Sequence, residues 1–119
     1  MRPISSMRWC PISCAGWRPT TWRPARCAVS TAAVHEREAE LFYVIDGSGT
    51  MVTGGKLVNQ GRVDPNNLSG SSVQGGTSRH LAKGDFIFVP ENTPHWFSAI
   101  DGTLILMSLH VPRPVPKAP

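Results

Sequence analysis

Two histidines and one glutamate give this 119-residue chain its candidate chemistry. His35 and Glu40 stand five residues apart, across an expected bend into a strand, and His95 follows a turn bounded by Pro90 and Pro94. An imidazole offers a neutral nitrogen donor; a carboxylate adds negative charge that offsets a cation's. Two imidazoles and one carboxylate suit a divalent first-row metal such as Fe, Mn, Ni or Zn. A histidine in a β domain is often just a hydrogen-bonded core residue, so spacing alone carries little weight. The three side chains need elements that aim them at one point.

Those elements read as short strands. Leu41–Ile45 is a β-branched and aromatic run that ends at the turn Asp46-Gly47-Ser48-Gly49, with Thr50–Thr53 as the expected partner strand. Residues 56–78 are polar and rich in Gly, Asn and Ser, which predicts a long loop holding one short strand near Lys56–Asn59. Regular structure resumes at Arg79–Leu81, then Phe86–Val89, His95–Ala99 and Thr103–His110, each closed by a turn. Strands at this spacing predict a sandwich or barrel. Parity places Glu40, Phe42 and Val44 on one face and Leu41, Tyr43 and Ile45 on the other. Both faces are apolar, so the strand is expected to be buried on both sides, and a carboxylate there is costly unless paired or metal-bound.

The spacing His35-x4-Glu40-x6-Gly47 resembles the first motif of the cupin superfamily, G-x5-H-x-H-x3-4-E-x6-G. Gly84-x5-Pro90-x-Asn92-x2-His95 resembles its second, G-x5-P-x-G-x2-H-x3-N. Together they cover roughly residues 33–110, and the phrases ELFYVIDGSGTM and KGDFIFVPENTPHWF are similar to those of small single-domain, RmlC-like cupins. The resemblance implies an all-β jelly-roll β-barrel with one metal inside, held by His35, Glu40 and His95. Four positions depart from the pattern: Ala33 stands for the first His, Asn92 for a Gly, Ala99 for the Asn and Cys27 near the opening Gly. The remaining ligands resemble a two-histidine, one-carboxylate triad with open positions.

Other residues take plainer readings. His80 is expected at the surface or rim; His110 ends the last strand, where it could face the barrel mouth but is read as a solvated strand end. Trp96, opposite in parity to His95, is expected in an outer core or a dimer contact; Phe42, Phe88 and Phe97 line the barrel or its core. Tyr43, of opposite parity to Glu40, is disfavoured as a catalytic acid. Arg79 is read as solvated.

Composition bounds the rest. Apolar residues are 40% and charged residues 17%, which fits a small globular domain rather than a disordered tail. No apolar run is long enough to cross a bilayer as a helix, so no membrane partner is expected. The net charge of +4 comes from the N-terminal segment, which holds five Arg and no acid. The remainder has no basic stripe, and no nucleic-acid partner is expected. We divide the chain into an atypical Arg/Pro/Trp/Cys-rich segment at 1–31, a barrel at 32–111 and a Pro-rich tail at 112–119. The first segment is read either as a product of the wrong reading frame or start, or as a genuine arm. Its Cys10, Cys14 and Cys27 lack the second pair that a structural zinc site needs. Cupin strands before the first motif would have to come from residues 1–30; if they do not, the barrel lacks a complete N-terminal edge strand.

Three functions fit. The first is a metal-dependent enzyme acting on a small oxygen-rich molecule, since the superfamily includes dioxygenases, isomerases and decarboxylases. The second is a non-catalytic ligand-binding or storage barrel, which Ala33 favours. The third is a defective gene product whose barrel folds only in part. The expected partners are a small-molecule ligand and a second copy in a homodimer. The expected location is the cytoplasm, because no signal segment and no paired cysteines are evident.

Overall fold

Alternating burial along short strands builds two facing antiparallel sheets. A computed structural model describes residues 6–13, 26–27 and 31–113. In chain order its strands are β1 (Ser6–Ser13), β2 (Arg26–Cys27), β3 (Ala32–His35), β4 (Glu38–Asp46), β5 (Ser48–Thr53), β6 (Lys56–Val58) and β7 (Gly61–Asp64). There follow β8 (Asn67–Gly70), β9 (Ser72–Gln74), β10 (Thr77–Ala82), β11 (Phe86–Val89), β12 (His95–Asp101) and β13 (Thr103–Pro112). One sheet runs β1-β13-β4-β11; the other runs β10-β5-β12-β3-β8-β7, with β2 beside β12; β6 and β9 form a separate pair. The sheets do not close on each other, so the expected barrel is a jelly-roll sandwich. Among the described residues there is no helix, hence none long and apolar enough to cross a membrane.

The predicted parity of β4 holds on its inner side, where Glu40, Phe42 and Val44 are buried. Its other face, with Leu41, Tyr43 and Ile45, is only half-buried rather than buried. Between the sheets, Phe42, Val44, Met51, Leu81, Ile87, Val89, Phe97, Ile100, Leu104 and Leu106 form one core. Phe42 and Phe97 meet edge to face at 5.6 Å, a favoured aromatic geometry. Phe88 departs from expectation. Ile87 and Val89 take the inner face of β11, which leaves Phe88 61% and Phe86 66% exposed, with Tyr43 against the Phe86 ring. Trp96 packs half-buried on a second cluster of Ala32, Val52 and Val73 behind the other sheet. His80 and Arg79 are exposed, as expected.

Two sequence expectations change. Residues 56–78 are not a long loop; they carry β6, β7, β8 and β9. Their composition hides this because the strands are three or four residues long and separated by tight turns that demand Gly and Asn. The second change concerns β5, which pairs with β10 and β12 and not with β4. At Gly47 the chain leaves one sheet for the other with φ +86. A Cβ there would run into the Thr103 carbonyl oxygen. Asp101-Gly102-Thr103 returns the chain between the same sheets, and the Ser48 hydroxyl ties the two crossings by donating to Asp101 Oδ2 at 2.9 Å.

Ser6–Ser13 supplies an edge strand, antiparallel to β13 from Ser6↔His110 to Ser13↔Thr103. The rest of residues 1–30, the cysteine question and the tail from residue 114 lie outside the described residues.

Gly47→Ala should therefore cost at least about 2 kcal/mol and lower the thermal midpoint by several degrees. Gly61→Ala is the control, because a Cβ there meets nothing within 4 Å; it should change stability by less than about 0.5 kcal/mol. Equal melting temperatures for the two variants would contradict this account of the crossing.

Candidate metal centre

The three candidate ligands come from both sheets. His35 ends β3 and His95 begins β12, which are neighbours in one sheet; Glu40 lies on β4 in the other. The link between His35 and β4 is just Glu36-Arg37, and it is pinned from several sides. The Asn92 N–H donates to the His35 carbonyl at 2.7 Å, the Arg113 N–H to the Arg37 carbonyl at 2.8 Å and the Glu36 N–H to the Asn66 carbonyl at 2.9 Å. Arg62 also pairs with Glu36 at 2.7 Å, an exposed bridge that adds little stability. Asn92 explains one departure from the motif. Its φ is +56, and Asn is the residue that best tolerates the left-handed region after Gly.

Each imidazole is oriented by its Nδ1. His35 Nδ1 is 2.7 Å from Asn67 Oδ1, and the Asn67 amide donates in turn to both Asp64 carboxylate oxygens at 2.9 and 2.8 Å. His95 Nδ1 is 3.2 Å from the Thr93 carbonyl. Both partners can only accept, so Nδ1 carries the proton in each ring and a neutral ring leaves Nε2 bare. Those two Nε2 atoms each lie 3.2 Å from the same oxygen, Glu40 Oε1. The three donor atoms sit within 4.8 Å of one another. Ala33 shares a face of β3 with His35 and pairs in register with His95, so the missing fourth ligand would have stood at this same site.

The sequence reading missed two neighbours of Glu40. Ser108 and His110 lie on β13, which pairs with β4 so that His110 stands directly opposite Glu40. The Ser108 hydroxyl donates to Glu40 Oε2, and His110 Nε2 is 3.0 Å from the same oxygen. His110 is thus a member of the site and not a solvated strand end. A signal was present: alternate residues from Leu104 through Leu106 and Ser108 to His110 form the inward series of β13.

Glu40 is 6% exposed. Burial pushes its carboxyl up, but the close approach of His110, His35, His95 and Ser108 together holds it well below the usual carboxylate range. His35 is raised above 6.5, chiefly by its contact with Glu40 and against the opposing effect of burial. Oε2 has its donors, whereas Oε1 is buried without a hydrogen-bond partner. An anionic oxygen facing two bare ring nitrogens is costly to bury and lacks only a cation. The donor set, its burial and the oriented tautomers all fit a divalent metal.

Comparison with known proteins agrees with the fold. The Cupin family profile matches residues 23–114. No curated protein matches the chain. Among solved structures, a cupin protein from Bacteroides fragilis aligns at TM-score 0.51 and 15% identity, over 82% of this chain; the chain spans 65% of that protein's length. A Bacillus halodurans protein aligns at TM-score 0.46 and 16% identity, over 91% of this chain and 92% of its own. A Photorhabdus luminescens protein aligns at TM-score 0.45 and 17% identity, over 85% and 72%. With more than half of its length matched by the family profile and a jelly-roll sandwich to carry the motif residues, the chain belongs to the cupin family.

Proposed function

We propose that this cupin binds one divalent first-row metal through His35, Glu40 and His95 and acts as a metal-dependent enzyme on a small oxygen-rich molecule. The observation that carries the metal reading is Glu40 Oε1, buried without a partner and faced by two Nε2 atoms at 3.2 Å. Bound there, the metal would supply Lewis-acid or redox chemistry. The chain's own residues do the rest. Asn67 and Thr93 fix the two rings, and the Phe42 ring lies 6.0 Å from that of His95. A three-residue set leaves positions open to a chelating ligand. A homodimer and a cytoplasmic location belong to the same reading.

Ala33 favours a second reading, a non-catalytic ligand-binding or storage cupin. With three ligands in place of four, metal would be held more weakly. Turnover of a metal-chelating substrate separates the two.

Mass spectrometry of the purified protein should find about one equivalent of Fe, Mn, Ni or Zn, and His95→Ala should lose it. No metal in either protein, even after reconstitution, would overturn the metal reading.

The site also predicts a pH dependence. Because His35 is raised in the fold, its proton stabilises the ion-free protein below about pH 6.5, and this contribution fades as pH rises through the raised value. A metal must displace that proton. Zinc should therefore raise the melting temperature more at about pH 8 than at about pH 6. An equal rise at both would show that no imidazole proton is displaced.

A further inference from the structure

The two oxygens of Glu40 have different surroundings. Oε1 faces His35 and His95 and has no hydrogen-bond donor; Oε2 is met by the Ser108 hydroxyl and by His110 Nε2 at 3.0 Å. We infer that Ser108 and His110 hold Glu40 by Oε2, so that a metal meets it through Oε1 alone, and that His110 is a positioning residue in place of a fourth ligand. The inference rests on the metal reading above and deepens it.

Three observations support this role. First, the sheet register sets His110 directly opposite Glu40, and Ser108 lies two residues along on the same inward series, so both donors reach the carboxylate from one strand. Second, the His110 ring is itself fixed. Its Nδ1 faces the Glu38 carboxylate at 3.7 Å, and its centroid lies 4.8 Å from that of the His35 ring, with the two planes tilted by 57°. Third, the cluster of donor atoms within 4.8 Å consists of His35, Glu40 and His95, whereas His110 spends Nε2 on the far oxygen. A carboxylate with one oxygen saturated by two donors cannot chelate an ion with both. It binds with one oxygen, which leaves more of the ion's coordination sphere for an incoming ligand. Outer-sphere partners of this kind are worth about 10–100-fold in metal affinity.

The test combines affinity with a count of imidazoles. Zinc affinity is measured by calorimetry on the full chain, on His110→Ala, His110→Gln and Ser108→Ala, and on His95→Ala. Gln keeps an N–H donor near the Nε2 position but has no ring. Pulsed electron paramagnetic resonance of the Cu(II)-loaded chain counts coordinated imidazoles, and on the unmutated protein that count needs no variant to fold. The expected result is two imidazoles in the unmutated protein and in His110→Gln. Zinc affinity should fall about 10–100-fold in His110→Ala, less in Ser108→Ala, and largely recover in His110→Gln. Three imidazoles falling to two in His110→Gln would make His110 a ligand and overturn the inference. So would zinc affinity that is lost in His95→Ala yet unchanged in His110→Ala, and that result would leave the metal reading standing. An unmutated chain that binds no zinc overturns both.

Discussion

Everything at the candidate centre follows from placing one carboxylate, Glu40, inside an apolar sandwich. A buried carboxylate has to be neutralised, saturated with donors or bound to a cation. The structure does the second at one oxygen and leaves the other for the third. Four elements are committed to this arrangement. β4 brings the carboxylate, β13 its donors, and β3 and β12 the two imidazoles. The supports reach further out, to Asn67 and Asp64 behind His35 and to Thr93 behind His95.

The fold separates stability from chemistry along the strands. At one end, the crossings at Gly47 and Gly102 pass the chain between sheets and are tied by Ser48 and Asp101. At the other end of β4 and β13 stand Glu40 and His110. The core of Phe42, Val44, Leu104 and Leu106 lies between. The same motif therefore contains a glycine at 47 for steric reasons and a glutamate at 40 for chemical ones, though the two sit on one strand.

Much of this was legible in the sequence. The spacing of His35, Glu40 and His95, with Gly47 and Gly84, was enough to name the fold and to pick out three side chains that the structure brings together, because motif residues are fixed by local strand and turn geometry. Parity found the inner face of β4. What escaped notice depends on distant partners. His110 looked like a frayed strand end because β4 opposite it cannot be read from β13 alone. β5 looked like the hairpin partner of β4 because a glycine that reverses a chain and one that sends it to another sheet look alike in sequence. The strands of 56–78 are short and polar, and their pairing, β6 with β9, β7 with β8 and β8 with β3, is what makes them strands. The ring of Phe88 suggests an inward place, but the parity of Ile87 and Val89 decides its side.

The donors at this centre belong to opposite walls of the sandwich, with two imidazoles on one and the carboxylate on the other. The site therefore measures the gap between the walls. A core substitution that widens the gap by a fraction of an ångström, far from any ligand, changes the distance between Oε1 and both Nε2 atoms together. Packing volume at Met51 or Leu104 is in this sense a tuning parameter for the spacing of the three donors, and the hydrophobic core works as the caliper of the candidate centre.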